Sequence, residues 1–178
     1  MNKTGNDTPN PMMLFDADKI RYQSNIFRNH GLRFLYVLRK TQSSSFPLWK
    51  IVLRHMSSRY GLEISPQTSI SGGFYLGHAF GITVNPLAVI GSNVNLHKGV
   101  TIGQENRGKR KGAPKLGNCV WVGVNATIVG SITIGDDVLI APNSYVNQDV
   151  PSHSIVIGNP CRIIPCQNAT EGYVNRLA

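Results

Sequence analysis

From residue 64 onward the apolar positions of the chain recur every six residues. Ile64, Ile70, Leu76 and Ile82 begin the series. After a two-residue slip it resumes with Ile90, Leu96 and Ile102, and after a longer insertion with Leu116, Val122, Ile128, Ile134, Ile140 and Val146. The residue after the aliphatic one is glycine at Gly77, Gly91, Gly103, Gly117, Gly123 and Gly135, and four places on sits a residue able to face a narrow interior: Val94, Val100, Val120, Ala126, Ile132, Val138 or Ser144. A period of six is neither the 3.6 of a helix nor the 2 of a simple strand. It fits a triangular solenoid in which each hexapeptide makes one flat side and one corner, three make a coil, and the aliphatic residue fills the interior. Sandwich strands would show alternation and turn clusters every 8–12 residues, which this chain lacks. The pattern predicts a mainly β chain, a parallel β-helix over 62–165.

The preceding stretch has a different rhythm. Residues 14–40 and 46–60 carry apolar side chains at helical spacing: Phe27, Phe34, Leu35 and Leu38, then Trp49, Val52, Leu53, Met56 and Tyr60, with Ser43–Ser45 and Pro47 between them. This predicts two or three short helices, a cap over 14–61 covering the open first coil, since a solenoid end exposes its core. Arg28, Arg33, Arg39, Lys40, Lys50, Arg54 and Arg59 make the cap basic and read as a solvated helix face; at most they allow a peripheral contact with anionic lipid. Residues 1–13 read as a disordered N-terminus and 166–178 as a C-terminal tail.

Composition narrows the functional classes. The 178 residues include 18 glycines, only 15% are charged, and the net charge is +9. Low charge with many glycines suits a β repeat. The positive charge suits anionic partners but is not arranged as a basic stripe interleaved with aromatics, so nucleic acid is not expected. Cys119, Cys161 and Cys166 are odd in number and form no CxxC pair, which points to reduced thiols and to no metal site. The polar N-terminus lacks the apolar segment of a signal peptide, and no apolar run approaches the ~20 residues that span a bilayer. A cytoplasmic location is expected.

The repeat register places the chemistry. With Leu76 and Leu96 on the same side, His97 stands directly above Gly77, the neighbour of His78, and Glu63 lies one coil below the corner that follows His78. Glu63, His78 and His97 are therefore expected in one outward-facing area. A carboxylate accepting one imidazole N–H fixes the tautomer, and the other ring nitrogen can take the proton of an attacking hydroxyl. Between Ile102 and Leu116 the spacing of 14 exceeds the repeat by eight. The excess, 104–113, must project outward, and its Arg107, Lys109, Arg110 and Lys111 are candidates to meet an anionic acceptor or the phosphates of a cofactor.

The stretches Glu63-Ile64-Ser65-Pro66, Leu76-Gly77-His78-Ala79-Phe80-Gly81-Ile82, Val100-Thr101-Ile102-Gly103, Pro114-Lys115-Leu116-Gly117 and Gly158-Asn159-Pro160-Cys161-Arg162 resemble the serine acetyltransferase family of hexapeptide acyltransferases. The resemblance runs from about Tyr60 to Ile164, slip and loop length included. It implies a left-handed parallel β-helix with a short N-terminal α-helical cap, a homotrimer, and acetyl-CoA as co-substrate without a metal. It implies His78 as general base, oriented by Glu63 where the family usually has Asp, with His97 as a possible second base. In such folds the pantetheine arm lies along small residues between neighbouring solenoids; here Gly103, Gly123 and Ala141 would keep that wall low, with Lys115 and Arg162 toward the nucleotide phosphates.

Three departures bear on the acceptor. Gly77 stands where the family has Asp before the histidine, and Gly112-Ala113 stand where it has Arg-His before Pro-Lys. Those side chains hold the ammonium and carboxylate of an amino acid, and a buried zwitterion left unpaired is costly. The chain thus looks similar to the branch that acetylates exopolysaccharide, capsule or O-antigen, and the expected acceptor is a sugar hydroxyl of a surface polysaccharide or its lipid-linked precursor. The alternatives are serine O-acetylation for cysteine synthesis, N-acetylation of an amino sugar with His97 as base, and a non-catalytic solenoid that binds partners.

Overall fold

The computed structural model describes residues 9–178. Three helices come first: α1 (Pro11–Ile20), α2 (His30–Ser43) and α3 (Pro47–Tyr60). Asn10 caps α1 by accepting the Met12 N–H at 2.9 Å, Asn29 caps α2 through the Leu32 N–H at 3.0 Å, and α3 opens on Pro47 and stops at Gly61, whose φ of 63° ends the helix. The first helix begins inside the stretch 1–13 expected to be disordered; residues 1–8 of that stretch lie outside the described residues.

The strands follow in chain order as β1 (Glu63–Ile64), β2 (Ser69–Ile70), β3 (Tyr75–Gly77), β4 (Thr83–Val84), β5 (Val89–Ile90), β6 (Asn95–His97), β7 (Thr101–Gly103), β8 (Lys115–Leu116), β9 (Trp121–Val122), β10 (Thr127–Val129), β11 (Thr133–Ile134), β12 (Val138–Ile140), β13 (Tyr145–Val146), β14 (Ser154–Ile157) and β15 (Arg162–Pro165). They stack into three sheets, the sides of a triangular solenoid of about five coils. Sheet A holds β1-β4-β7-β10-β13, sheet B β2-β5-β8-β11, and sheet C β3-β6-β9-β12-β14, with β15 folded back antiparallel on β14. The aliphatic residues form interior columns, such as Leu76, Leu96, Val122, Ile140 and Val156 on sheet C, all 2% exposed or less. Asn93, Asn125 and Asn143 turn corners at φ near 58°, a left-handed conformation that asparagine tolerates better than most residues.

The slip falls earlier than the period indicates. Ile64 pairs with Val84 rather than with Ile82, so the two extra residues belong to the corner between β3 and β4. Ile82 is fully buried in that corner, and both Ile82 and Val84 satisfy an apolar period. The left-handed turns at His78 (φ 50°) and Gly81 (φ 63°) take up the extra length.

The cap is clamped to the first coil by a buried ion pair. Arg39 Nε donates to Asp18 Oδ2 at 3.0 Å, with the side chains 1% and 0% exposed. The guanidinium also donates to the Ile70 and Ser71 carbonyls at 2.9 Å each, and Asp18 accepts the Phe74 N–H at 2.8 Å. Arg39 is thus no part of a solvated face: it closes the backbone groups that the open end of the solenoid presents. The C-terminal segment also packs back. Asp137 accepts the Ala169 and Thr170 N–H groups and the Thr170 hydroxyl, and Asn93 and Asn95 bond the backbone of Ala178 and Tyr173. Among the described residues no helix is long and apolar enough to cross a membrane.

Candidate functional site

The corner created by the slip carries His78. Its left-handed backbone turns the exposed imidazole outward at the end of β3. A non-glycine residue held at positive φ is strained and needs its surroundings to keep it there. Here α2 does so: His30 Nε2 lies 3.1 Å from the Ala79 carbonyl, and the His30 ring packs at 4.6 Å on Tyr60 and 4.7 Å on Phe80. A cavity of about 250 Å³ opens beside His78, lined by Asn29, His30, Tyr75 and His97 among others.

His97 sits where the register expects it, paired with Gly77 on the neighbouring strand. Its ring lies 6.4 Å from that of His78 and 4.7 Å from that of Trp121. Burial, and then the charge of His78, lower its pKa to about 4, so it is neutral at physiological pH. Its Nε2 is buried and has no hydrogen-bond partner among the described residues. Gly77 owes its identity to this ring: a Cβ there would lie 2.5 Å from His97 Cε1 and closer still to Nδ1. A second cavity, about 420 Å³, continues along sheet C past Tyr75 and His97 to Trp121, Tyr173 and Arg176.

Glu63 does not join this group. Its side chain is exposed on sheet A, where Thr83 Oγ1 donates to Oε2 at 3.4 Å, and no hydrogen bond to His78 is made among the described residues. Moving the slip ahead of Val84 sets Glu63 beside Thr83, past the His78 corner rather than under it. Glu63 instead lines a cavity of about 900 Å³ between α3 and sheet A, together with Lys50, Arg54, Gln67 and Gly103. His78 and His97 thus line one cavity and Glu63 another, with no hydrogen bond between Glu63 and His78 among the described residues.

The cofactor candidates are also distributed. Gly103 ends β7 on sheet A, and Lys115 is exposed on sheet B. Gly123 and Ala141 continue the column of His97, since β6, β9 and β12 are in register there. Arg162 is exposed on β15. The loop 104–113 folds as a small hairpin: Glu105 and Gly112 exchange backbone hydrogen bonds of 3.0 Å, and Arg110 Nε donates to Glu105 Oε1 at 3.2 Å. Arg110 is thereby engaged within the loop, while Arg107, Lys109 and Lys111 are exposed. Gly112 adopts φ 131°, which L side chains rarely take, and a Cβ there would meet Ser131 at 3.1 Å.

His30, Tyr75, Trp121 and Tyr173 escape the sequence reading. None breaks the six-residue period, and Tyr75 and Trp121 occupy the outward position beside each interior aliphatic, which the period leaves unspecified.

Residues 113–148 match the bacterial transferase hexapeptide family (six repeats). Serine acetyltransferase 2 of Arabidopsis thaliana is 35% identical over 136 residues, 76% of this chain and 42% of the relative. Serine acetyltransferase of Helicobacter pylori is 38% identical over 104 residues, 58% of this chain and 61% of the relative. The chain thus spans between about two fifths and three fifths of these relatives' length. Soybean serine acetyltransferase complexed with serine superposes with a TM-score of 0.75 at 27% identity, covering 89% of this chain and 71% of that one. The serine acetyltransferase of Neisseria gonorrhoeae in complex with serine does so at 0.73 and 28%, covering 89% and 70%. The fold is the left-handed parallel β-helix of these structures. None of these relatives is a polysaccharide acetyltransferase.

Proposed function

We propose that this hexapeptide-repeat chain is an acetyl-CoA-dependent O-acetyltransferase with His78 as general base. The observation that supports this best is the His78 corner: an exposed imidazole at positive φ, braced from behind by α2 and opening on a cavity, in a fold shared with serine acetyltransferases. The acceptor hydroxyl gives its proton to His78 as its oxygen attacks the thioester carbonyl. The new C–O bond forms, the C–S bond breaks, and the proton leaves on the CoA thiol. Glu63 is the carboxylate proposed to orient His78. Its side chain is exposed, and among the described residues its one hydrogen bond is the 3.4 Å contact with Thr83, which leaves it free to change rotamer. Gly103, Gly123 and Ala141 are the proposed low wall for pantetheine, completed by a second copy in a trimer.

The names of the relatives support serine as the acceptor, better than they support a sugar. One pair of observations favours the second reading, a sugar hydroxyl. Gly77 has no room for a side chain while His97 holds its place, and Gly112 has a backbone that an L side chain rarely adopts. These are the positions from which charged groups would grip a free amino acid.

The test follows thiol release from acetyl-CoA with L-serine, monosaccharides and polysaccharide fragments as acceptors. Acceptor-dependent release should fall by about 10²–10⁴-fold in His78→Ala with the fold intact. Rapid, saturable acetylation of serine with none of any glycan would decide for serine. Absence of release with every acceptor would overturn the acetyltransferase reading.

A further inference from the structure

The groove on sheet C is more than a wall for His78. Its outward positions on successive strands are Tyr75, Asn95 and Trp121, and the C-terminal segment lays Tyr173 against them. The rings of His97 and Trp121 meet at 4.7 Å and 50°, and those of Trp121 and Tyr173 at 5.0 Å and 63°. These are tilted and edge-on arrangements, so the rings form a cup instead of covering one another face to face. Around the cup stand neutral groups able to donate and accept, Asn29 among them, and the Arg176 guanidinium. Arg21, at the base, is already engaged: it donates to the Asn175 carbonyl, the Gly73 carbonyl and Asn95 Oδ1. Among the described residues, no aspartate or glutamate lines either this groove or the adjoining His78 cavity.

That combination selects a chemical class. An amino acid zwitterion brings an ammonium group that would find no counter-charge here, at a desolvation cost. A pyranose ring brings an apolar C–H face and a rim of hydroxyls, which match aromatic walls edged by amides. The groove and the His78 cavity share Asn29, Tyr75 and His97, so a ring held against Trp121 extends toward the base. The buried Nε2 of neutral His97, without a partner among the described residues, stands at that junction.

We propose that the groove walled by Tyr75, His97, Trp121 and Tyr173 is a subsite for a pyranose ring of the acceptor, a proposal that rests on the sugar reading above. The test is saturation-transfer NMR on the full chain. The probes are methyl glycosides of glucose, galactose, mannose, N-acetylglucosamine and glucuronic acid, with L-serine alongside. Ring C–H protons of at least one glycoside should receive saturation while serine receives none. Trp121→Leu and Tyr173→Ala should each weaken that glycoside about tenfold. Tyr173 is 52% exposed, so its replacement leaves the solenoid core untouched and keeps the test sound if Trp121→Leu misfolds. No saturation of any glycoside, or binding indifferent to Tyr173→Ala, overturns the subsite. Thiol release measured on the same samples separates the two claims. Acetyl transfer without glycoside binding removes the subsite and leaves the acetyltransferase, whereas glycoside binding lost with Tyr173→Ala and no transfer to any acceptor removes the acetyltransferase and leaves the subsite.

Discussion

Gly77 offers the sharpest check on how the site is built, because its identity is explained by one neighbour. A methyl group at this position would lie 2.5 Å from His97 Cε1 and closer still to Nδ1, far inside van der Waals contact. The ring cannot simply swing away: it is half-buried and packed at 4.7 Å on Trp121. Gly77→Ala should therefore cost about 1–3 kcal/mol, the usual price of overpacking a filled site. For a chain of this length that corresponds to a fall in Tm of roughly 2–12 °C. In a His97→Ala background the obstruction is gone, and the lost freedom of the unfolded glycine should make the same substitution neutral or stabilising by up to about 1 kcal/mol. The double-mutant cycle, measured by urea unfolding at fixed protein concentration, should give a coupling of at least about 1 kcal/mol. If Gly77→Ala costs less than about 0.5 kcal/mol in the unmodified chain, or the same in both backgrounds, His97 does not occupy that space. Position 77 then has room for an amino-acid-binding carboxylate.

Three further outcomes follow from the buried and latched groups. Arg39→Met leaves Asp18 buried without its cation and should cost about 3–5 kcal/mol by urea unfolding, with Arg39→Lys recovering only part because it lacks the bidentate fork. Asp137→Ala should speed amide exchange at Ala169 and Thr170, whose N–H groups it accepts. Burial pushes the Asp137 carboxyl up, but its hydrogen bonds with Thr170, His153 and Ala169 together hold it below the ordinary carboxylate value, so the latch persists at neutral pH and loosens only as pH falls below about 3.8. His97 titrates near 4 in the fold against 6.5 when unfolded, so the unfolded chain takes up its proton first. The stability from neutral His97 is then complete above about 6.5 and drains as pH falls toward 4. Unfolding midpoints across that window should flatten in His97→Gln, and an unchanged acid limb would refute the assignment.

The solenoid was legible because a period of six has one economical explanation, and the pairing of Gly77 with His97 followed from counting coils. The position of the slip is not legible, because Ile82 and Val84 both suit an interior position; the choice between them is made by left-handed turns at His78 and Gly81, which the apolar pattern does not encode. With that shift Glu63 pairs with Thr83 and lines the sheet A cavity, whereas His78 lines another. The burial of Arg39 is not legible either: its spacing on α2 suits a surface, while its partners, Asp18 and the Ile70 and Ser71 carbonyls, are distant in sequence. The latching of the C-terminal segment leaves no sequence signal for a related reason. Polar groups such as Arg21, Asn93, Asn95 and Asp137 do much of the attaching, and hydrogen bonds between distant residues leave no periodic trace.

The spread of the candidate residues over two cavities bears on assembly. On a triangular solenoid, sheets A and C are adjacent sides meeting at the corner where His78 stands. Glu63 and Gly103 face the sheet A cavity, while His97, Gly123 and Ala141 follow the edge of sheet C. A threefold ring is built from heterologous contacts, in which one surface of each copy meets a different surface of the next, so it can close a groove three times over with the same residues. Two exposed apolar side chains are suited to such contacts: Phe80, 44% exposed at the corner between sheets C and A, and Leu87, 70% exposed at the corner between sheets A and B. Light scattering at working concentration should give three times the 19.5 kDa chain mass. Phe80→Asp and Leu87→Asp together should lower both that mass and the rate of acetyl transfer. A species of one-chain mass that retains full transfer would show that the catalytic groove is complete within a single solenoid.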